Sequence, residues 1–479
     1  MAQLAACVGA VGVVLALVPP RREAVLAGLV LIAVAIALLQ GSESTVTAGR
    51  AALGVFGLVL LAVAATVFVR WPALVTPAAL LAAPFRLPLD FGAAHRFYVG
   101  LARGGQVGRL LPLLLVVGAA GLALAWRLVR GEQPKAVTRA IAIPTSAFVA
   151  FASISLLWSG SEAAAASLLE YFMLPFVVLV AVVARAPFPS WLPRALAVIA
   201  IGLGVLFAAV GLVEEASHRL LFYSPSVVIG NTYSSFFRVT SLFRDPSIYG
   251  LHLVLGITVV LVLAWYRKIG PWLACALVAV MFAGLYFSYS QSSMAALFAT
   301  ALFVAFLAGK RPVRIAAAAV TAVVLASGTA VAAAKLRTLS TRRVTSDRSQ
   351  RVELAARVFG HHPIAGVGLA DQPHASKALA TGGGPPTLFV SHTTPLTVAA
   401  ELGVIGLALY VFFLAGAARA LERVRRLDPA LGLTLAAAFV ALIVHSLFYS
   451  GFFEDPLTWF VVAVTSSFLA ARARPPALS

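Results

Sequence analysis

Charge is scarce in this 479-residue chain: Asp, Glu, Lys and Arg together make up 11% of it, against about 25% in ordinary soluble domains. That scarcity excludes a soluble enzyme. Cysteine is nearly absent, and Cys7 and Cys275 both lie inside apolar runs. The sequence therefore offers no disulfide framework and no CxxC metal site, and each thiol is expected to pack as a small hydrophobe. No internal repeat and no low-complexity linker divides the chain. What fills it is apolar: 61% hydrophobic residues and a mean hydropathy of +0.98. At roughly 20 apolar residues per bilayer crossing, that is enough for about a dozen or more helices, so residues 1–479 read as one all-α, polytopic membrane domain.

Acids are scarcer than bases, 17 against 36, a formal +19. In a soluble protein this excess would raise the question of nucleic acid. In a membrane protein cytoplasmic loops collect Lys and Arg, so no nucleic-acid partner is expected. Apolar runs predict helices over 4–18, 24–40, 51–69, 106–128, 139–158, 165–184, 192–213, 249–266, 271–288, 291–309, 312–333, 394–416, 430–449 and 456–471, fourteen in all. The first run is followed by Pro19-Pro20-Arg21-Arg22 rather than a small-residue cleavage site, and is read as a retained helix. Six basic connections alternate regularly: 133–139, 185–194, 266–268, 310–314, 419–426 and 472–474. They are assigned to the cytoplasm, which turns the loops 159–164, 214–248, 334–393 and 450–455 outward. The first quarter fits less well. The same parity puts Arg21 and Arg22 outside, whereas counting the short run 72–83 as a crossing would reverse the N-terminus. With Pro72 and Pro77 in it, that run reads better as a re-entrant or interfacial piece.

Three outward features carry chemistry. The loop 334–393 opens with Lys335, Arg337, Arg342, Arg343, Arg348 and Arg351 against one nearby acid, Asp347. Positive charge on the face where the topogenic rule expects little has another use. An anion at the membrane surface is the natural one, because the planar guanidinium fork suits phosphate. A solvated basic loop beside anionic headgroups is the alternative. The same loop holds His361, His362, His374 and His392. Histidine is the usual general base for a hydroxyl, and the adjacent pair lacks the i, i+4 spacing of helical metal ligands, so no metal site is expected. Secondly, Arg238 and Arg244 precede Asp245-Pro246, a helix start with Asp as N-cap and Pro at the first position. The arginines could hold phosphate there while Asp245 caps. Thirdly, the turn 288–293 offers Ser290 and Gln291 at the top of a helical hairpin, either as ligands or as an ordinary polar turn.

Taken in order, these segments resemble the O-antigen ligase and polymerase superfamily of membrane glycosyltransferases. The family's Arg followed eight residues later by a helix-opening Pro is matched by Arg238 and Pro246. Its Arg followed after fifteen residues by Pro and a G-x-G turn is matched by Arg348, Pro363 and Gly366-Val-Gly368. Its His-rich loop end running into Glu-x-Gly-x-x-Gly is matched by His392 and Glu401-Leu-Gly-Val-Ile-Gly406. The resemblance covers roughly 235–420. Two positions depart from it: Gln291 stands where many members carry Arg, and Thr393 where Asn commonly follows the loop His. Arg244 or Arg351 would then supply a third phosphate-binding cation.

The resemblance implies a GT-C-like fold and a catalytic outer loop in the cytoplasmic membrane of a bacterium. It also implies a polyprenyl-diphosphate-linked glycan donor and a glycan or lipid-linked acceptor, with inverting, metal-independent transfer and no cofactor. Arg238 and Arg348 would stabilise the leaving diphosphate and His392 would take the acceptor proton, with Arg244, Arg351, Ser290, Gln291 and Glu401 around the substrates. A transporter or flippase of lipid-linked glycans is the rival. Such sites sit near the midplane between repeats, whereas here cations and histidines gather on one face.

Overall fold

The computed structural model describes residues 1–40, 48–85, 110–221, 225–338, 348–380 and 383–473. Arg342, Arg343 and Asp347 lie outside the described residues, as do the side chains of Lys335 and Arg337. Every described element is helical. In chain order these are α1 (Ala2–Leu17), α2 (Arg22–Gln40), α3 (Ala48–Arg70), α4 (Val75–Ala82), α5 (Leu111–Val129) and α6 (Arg139–Ile154). Then follow α7 (Glu162–Leu168), which runs through one π turn into α8 (Leu174–Arg185), α9 (Leu192–Ser217), α10 (Pro225–Tyr233), α11 (Pro246–Trp265), α12 (Pro271–Phe287) and α13 (Gln291–Ala308). The last group is α14 (Arg311–Thr338), α15 (Arg348–His361), α16 (Gln372–Leu379), α17 (Thr394–Leu427), α18 (Pro429–Ser446) and α19 (Pro456–Arg472).

The apolar runs fall on these helices, the run 165–184 on α7, the π turn and α8 together. Ten described helices are long and apolar enough to cross a bilayer. An eleventh is a broken pair, in which Gly54–Arg70 bends by 114° into Pro72–Ala82. Three more, Ala2–Leu17, Pro271–Phe287 and Pro456–Arg472, are apolar but shorter. The break at residue 71 has a local cause: proline cannot continue the hydrogen-bonding ladder of the helix before it. The returning piece α4 packs against α5 and α9, where its Val75, Thr76 and Ala79 are buried.

The buried residues form two main clusters. One joins α1, α2, α5, α6 and α8 to α17 and α19. The other joins α9, α11, α12 and α13, and α18 packs against α11 and α13 on one side and α17 on the other. Large apolar side chains on the surface, such as Val55, Phe56 and Leu58 of α3 and Val323 and Leu325 of α14, are what a bilayer covers. Cys7 and Cys275 are also on that surface and free. The expectation that each packs as a small hydrophobe is not met among the described residues, where both are exposed on the flanks of their helices.

Candidate active site

The segment before α11 is pinned from three sides. Glu214, fully buried near the end of α9, accepts a 2.8 Å hydrogen bond from the Leu221 N–H through one carboxylate oxygen. Its other oxygen accepts from the N–H groups of Thr240 and Ser241, both at 2.8 Å. Asn231 grips the backbone of Arg238 at both ends: its Nδ2 donates to the Arg238 carbonyl at 3.0 Å and its Oδ1 accepts from the Arg238 N–H at 2.9 Å. The Arg238 Nε in turn donates to the Ser288 carbonyl at 3.2 Å. One edge of the guanidinium is thus fixed at the top of α12. Asp245 then caps α11, accepting from the Ser247 N–H at 2.6 Å.

The second half of the site is held by an interlock between two glycine motifs. Helix α17 is broken at Gly403, whose φ of 64° and ψ of −163° are not helical, and the break frees carbonyls of the preceding turn. The G-x-G turn takes them: the Val367 N–H donates to Ala400 O at 3.0 Å and the Gly368 N–H to Glu401 O at 2.8 Å. The Val404 N–H donates back to Pro363 O at 2.8 Å. A Cβ on Gly366 would lie 2.2 Å from the Glu401 carbonyl, and one on Gly403 would lie 2.1 Å from Ile364 O. Each glycine therefore makes room for the other's segment. The Glu401 carboxylate accepts from the N–H groups of Ala370 and Gln372.

Gln372, also buried, passes the constraint on. Its Nε2 donates to Phe389 O at 2.9 Å and its Oε1 accepts from the Ser391 N–H at 3.2 Å. Ser391 brackets the next residue, its Oγ donating to Thr393 O at 3.1 Å and accepting from the Thr393 N–H at 3.2 Å. Between them His392 adopts the left-handed conformation, φ 57°, which is unusual outside glycine. The first half of the chain contributes a clasp on the same loop. Ser155 Oγ accepts from the Leu369 N–H at 3.1 Å, Ser159 Oγ donates to Leu369 O at 2.8 Å, and Ser161 Oγ meets both Asp371 and the 2.8 Å-distant His374 Nδ1.

These supports bring Arg238, Arg348, Arg351, Asp245 and His392 into one electrostatic neighbourhood. Burial lowers the Arg238 guanidinium below its usual range, Asp245 opposes that, and Arg348 adds to it. Burial also lowers the His392 imidazole, with Arg351 and Arg348 acting in the same direction and Asp245 against them. Arg351 Nη1 donates to His392 Nε2, an arrangement that suits a neutral ring protonated at Nδ1. A neutral imidazole ringed by cations can accept a proton, and the cations can hold an anion.

Other expected residues have different surroundings. Arg244 is half-buried in the turn before Asp245 and its side chain is engaged. Ser290 caps α13, accepting from the Ser293 N–H, and bonds the hydroxyls of Ser292 and Ser293. Gln291 is exposed on the first turn of that helix. Glu401 lies beside a cavity of about 200 Å³ that abuts the His392 segment at Val390 and Thr394. Among the described residues, no group of three or more His, Cys, Asp or Glu side chains is placed to hold a metal ion. Sequence reasoning missed Glu214, Asn231 and the serines of 155–161. The acid pair Glu214-Glu215, at the end of a long apolar run, was the one signal that could have pointed there.

No curated protein matches the chain. A family model described as O-Antigen ligase matches residues 274–411, less than a third of the sequence. The matched stretch runs from α12 to the middle of α17 and contains Arg348, Arg351, both glycine motifs and His392, while Arg238 lies before it. Residues 274–411 of this all-helical chain are thus similar to the O-Antigen ligase family, and they supply Arg348, Arg351 and His392 of the candidate site.

Proposed function

We propose that this chain is an inverting membrane glycosyltransferase. It moves a saccharide from a polyprenyl diphosphate, undecaprenyl in a bacterial cytoplasmic membrane, to an acceptor hydroxyl at the outer face. The observation that carries this reading is that Arg351 Nη1 donates to His392 Nε2 inside the stretch 274–411 that is similar to the O-Antigen ligase family.

The acceptor oxygen attacks the anomeric carbon as the bond from that carbon to the diphosphate oxygen breaks, and the bonding electrons leave with the diphosphate. The acceptor proton goes to His392. Arg238 and Arg348 neutralise the charge developing on the leaving group, a role that asks for no metal. Preorganised donors of this kind contribute about 10²–10³ in rate, and a positioned general base about 10²–10⁴. Arg351 covers the Nε2 lone pair before substrate arrives. A diphosphate is a stronger partner for guanidinium than a neutral imidazole, so the donor draws Arg351 away and uncovers the base. Ligation and polymerisation share this chemistry and differ in the acceptor.

The test is transfer from a polyprenyl-diphosphate glycan by the full-length protein in liposomes, with Arg348→Ala and His392→Ala beside wild type. Both variants should insert normally and lose transfer by at least about 10². Wild-type rates from both would overturn the assignment of roles.

A further inference from the structure

At the end of the bundle away from the candidate site, one cation is buried without an acid. Arg185 closes α8 and is 3% exposed. Its Nη1 donates to Ala181 O at 3.1 Å and its Nη2 to Ala16 O at 2.8 Å, carbonyls near the ends of α8 and α1. Its Nε has no partner, and among the described residues no carboxylate pairs with it. A guanidinium stays charged at any accessible pH, and a buried charge is unfavourable unless it is paired. The two carbonyls occupy two of its donors, and its charge is left without a counter-ion.

Arg185 and Arg127 both line a small cavity between α5, α8 and the break that joins α3 to α4. Phe68, Pro72, Val75 and Leu124 make its wall apolar. At about 10 Å³ it has room for a single oxygen. Arg127 is only half-buried, and its Nε donates to Glu132 at 2.6 Å. Trp126 and Trp71 are 50% and 56% exposed, in the manner of the aromatic belt at a bilayer's edge. Helices α7 and α8 together span Glu162–Arg185, about 36 Å of helix. That stretch starts beside Ser161, which clasps Asp371 and His374. Arg185 is therefore at the opposite end of the bundle from the loop that holds His392.

A water in the cavity would satisfy the Nε N–H and leave the charge. A phosphate oxygen satisfies both, and guanidinium suits it. The apolar wall and the tryptophans at its level favour a phosphate carried on a lipid over a free one. We propose that Arg185 and Arg127 bind the phosphate of an anionic phospholipid in the leaflet opposite the candidate site. One oxygen sits in the cavity, and the acyl chains lie on the exposed apolar flanks of α3 and α5, where Val63 and Leu122 are. A zwitterionic choline headgroup would bring its own ammonium beside two arginines, which like charge disfavours. The bound lipid fastens the α3–α4 break to α5 and α8. This site is independent of the glycosyltransferase reading.

The experiment uses the full-length chain, stripped of lipid in a neutral detergent. Native mass spectrometry reads lipid binding, and tryptophan fluorescence reads the unfolding temperature. Dioleoyl phosphatidylglycerol should bind saturably and raise Tm, whereas dioleoyl phosphatidylcholine and inorganic phosphate should be at least about tenfold less effective. Arg185→Met, which keeps much of the volume and removes the charge, should weaken phosphatidylglycerol binding at least about tenfold. Arg127→Gln should weaken it about fivefold, and decides the matter if the methionine variant does not fold. The proposal is overturned if phosphatidylglycerol does not bind saturably, if phosphatidylcholine binds as tightly, if inorganic phosphate stabilises as well as the lipid, or if a folded variant keeps wild-type affinity.

Discussion

Arg238 and Arg348, which we propose serve the same anion, are built in opposite ways. Arg238 is half-buried, its backbone gripped by Asn231 and its Nε committed to the Ser288 carbonyl. Behind it Glu214 ties down Thr240 and Ser241. Arg348 is exposed, the first residue of a helix whose buried face, Leu354, Ala355 and Val358, rests on α16 and α17. One cation belongs to the bundle and the other to a loop helix laid over it. Preorganisation favours the first for stabilising a transition state, because its position is fixed before charge develops. On the same proposal the second would reach the anion from a solvent-facing place, where charge matters more than the fork.

Lysine substitutions should separate the two most sharply. Arg238→Lys loses both the fork and the Nε anchor, and should cost about 10²–10³ in kcat, close to Arg238→Ala. Arg348→Lys should be impaired but retain activity within about tenfold of wild type, well above Arg348→Ala. Equal losses from both lysines in a liposome transfer assay would break the contrast.

A smaller effect should come from Glu214→Gln, which leaves every group that touches substrate in place. Its amide accepts less strongly than a carboxylate, so kcat/KM should fall about tenfold, with no change in the pH profile. A variant whose pH profile moves would show that Glu214 acts on charge rather than on position.

Smallest in rate, and most specific, is Arg351→Gln. The His392 imidazole lies below its ordinary value of 6.5 through burial, Arg351 and Arg348. The neutral base therefore persists below that pH, and activity falls only as pH drops through the lowered value. Removing the Arg351 charge raises the imidazole, so the acid limb of kcat/KM should move to higher pH. A limb that stays put, or moves the other way, would remove Arg351 from the base.

The helices were legible in the sequence because a bilayer demands long apolar runs, and hydropathy reads those directly. The candidate site was legible by residue type: Arg238, Arg348 and His392 stood out as two cations and a histidine in loops between apolar runs. What could not be read was how those residues are held. The Gly366-Val-Gly368 turn and the Glu401-Leu-Gly403 motif looked like two separate signatures, and only packing joins them into one interlock. Glu214 and Ser155 act through backbone N–H groups far away in sequence, and no local pattern encodes that. Ser290 and Asp245 were ambiguous at the level of residue type, since a capping side chain and a ligand draw on the same chemistry.

The broken helix at Gly403 also sets an order of events at the ribosome. The turn 363–368 leaves the tunnel some forty residues ahead of the backbone that it must embrace. Until α17 has entered the bilayer and parted at its glycine, the outer segment has nothing to close upon. A chain truncated just before that helix would lack the interlock, so the candidate site is among the last parts of the protein to come into being.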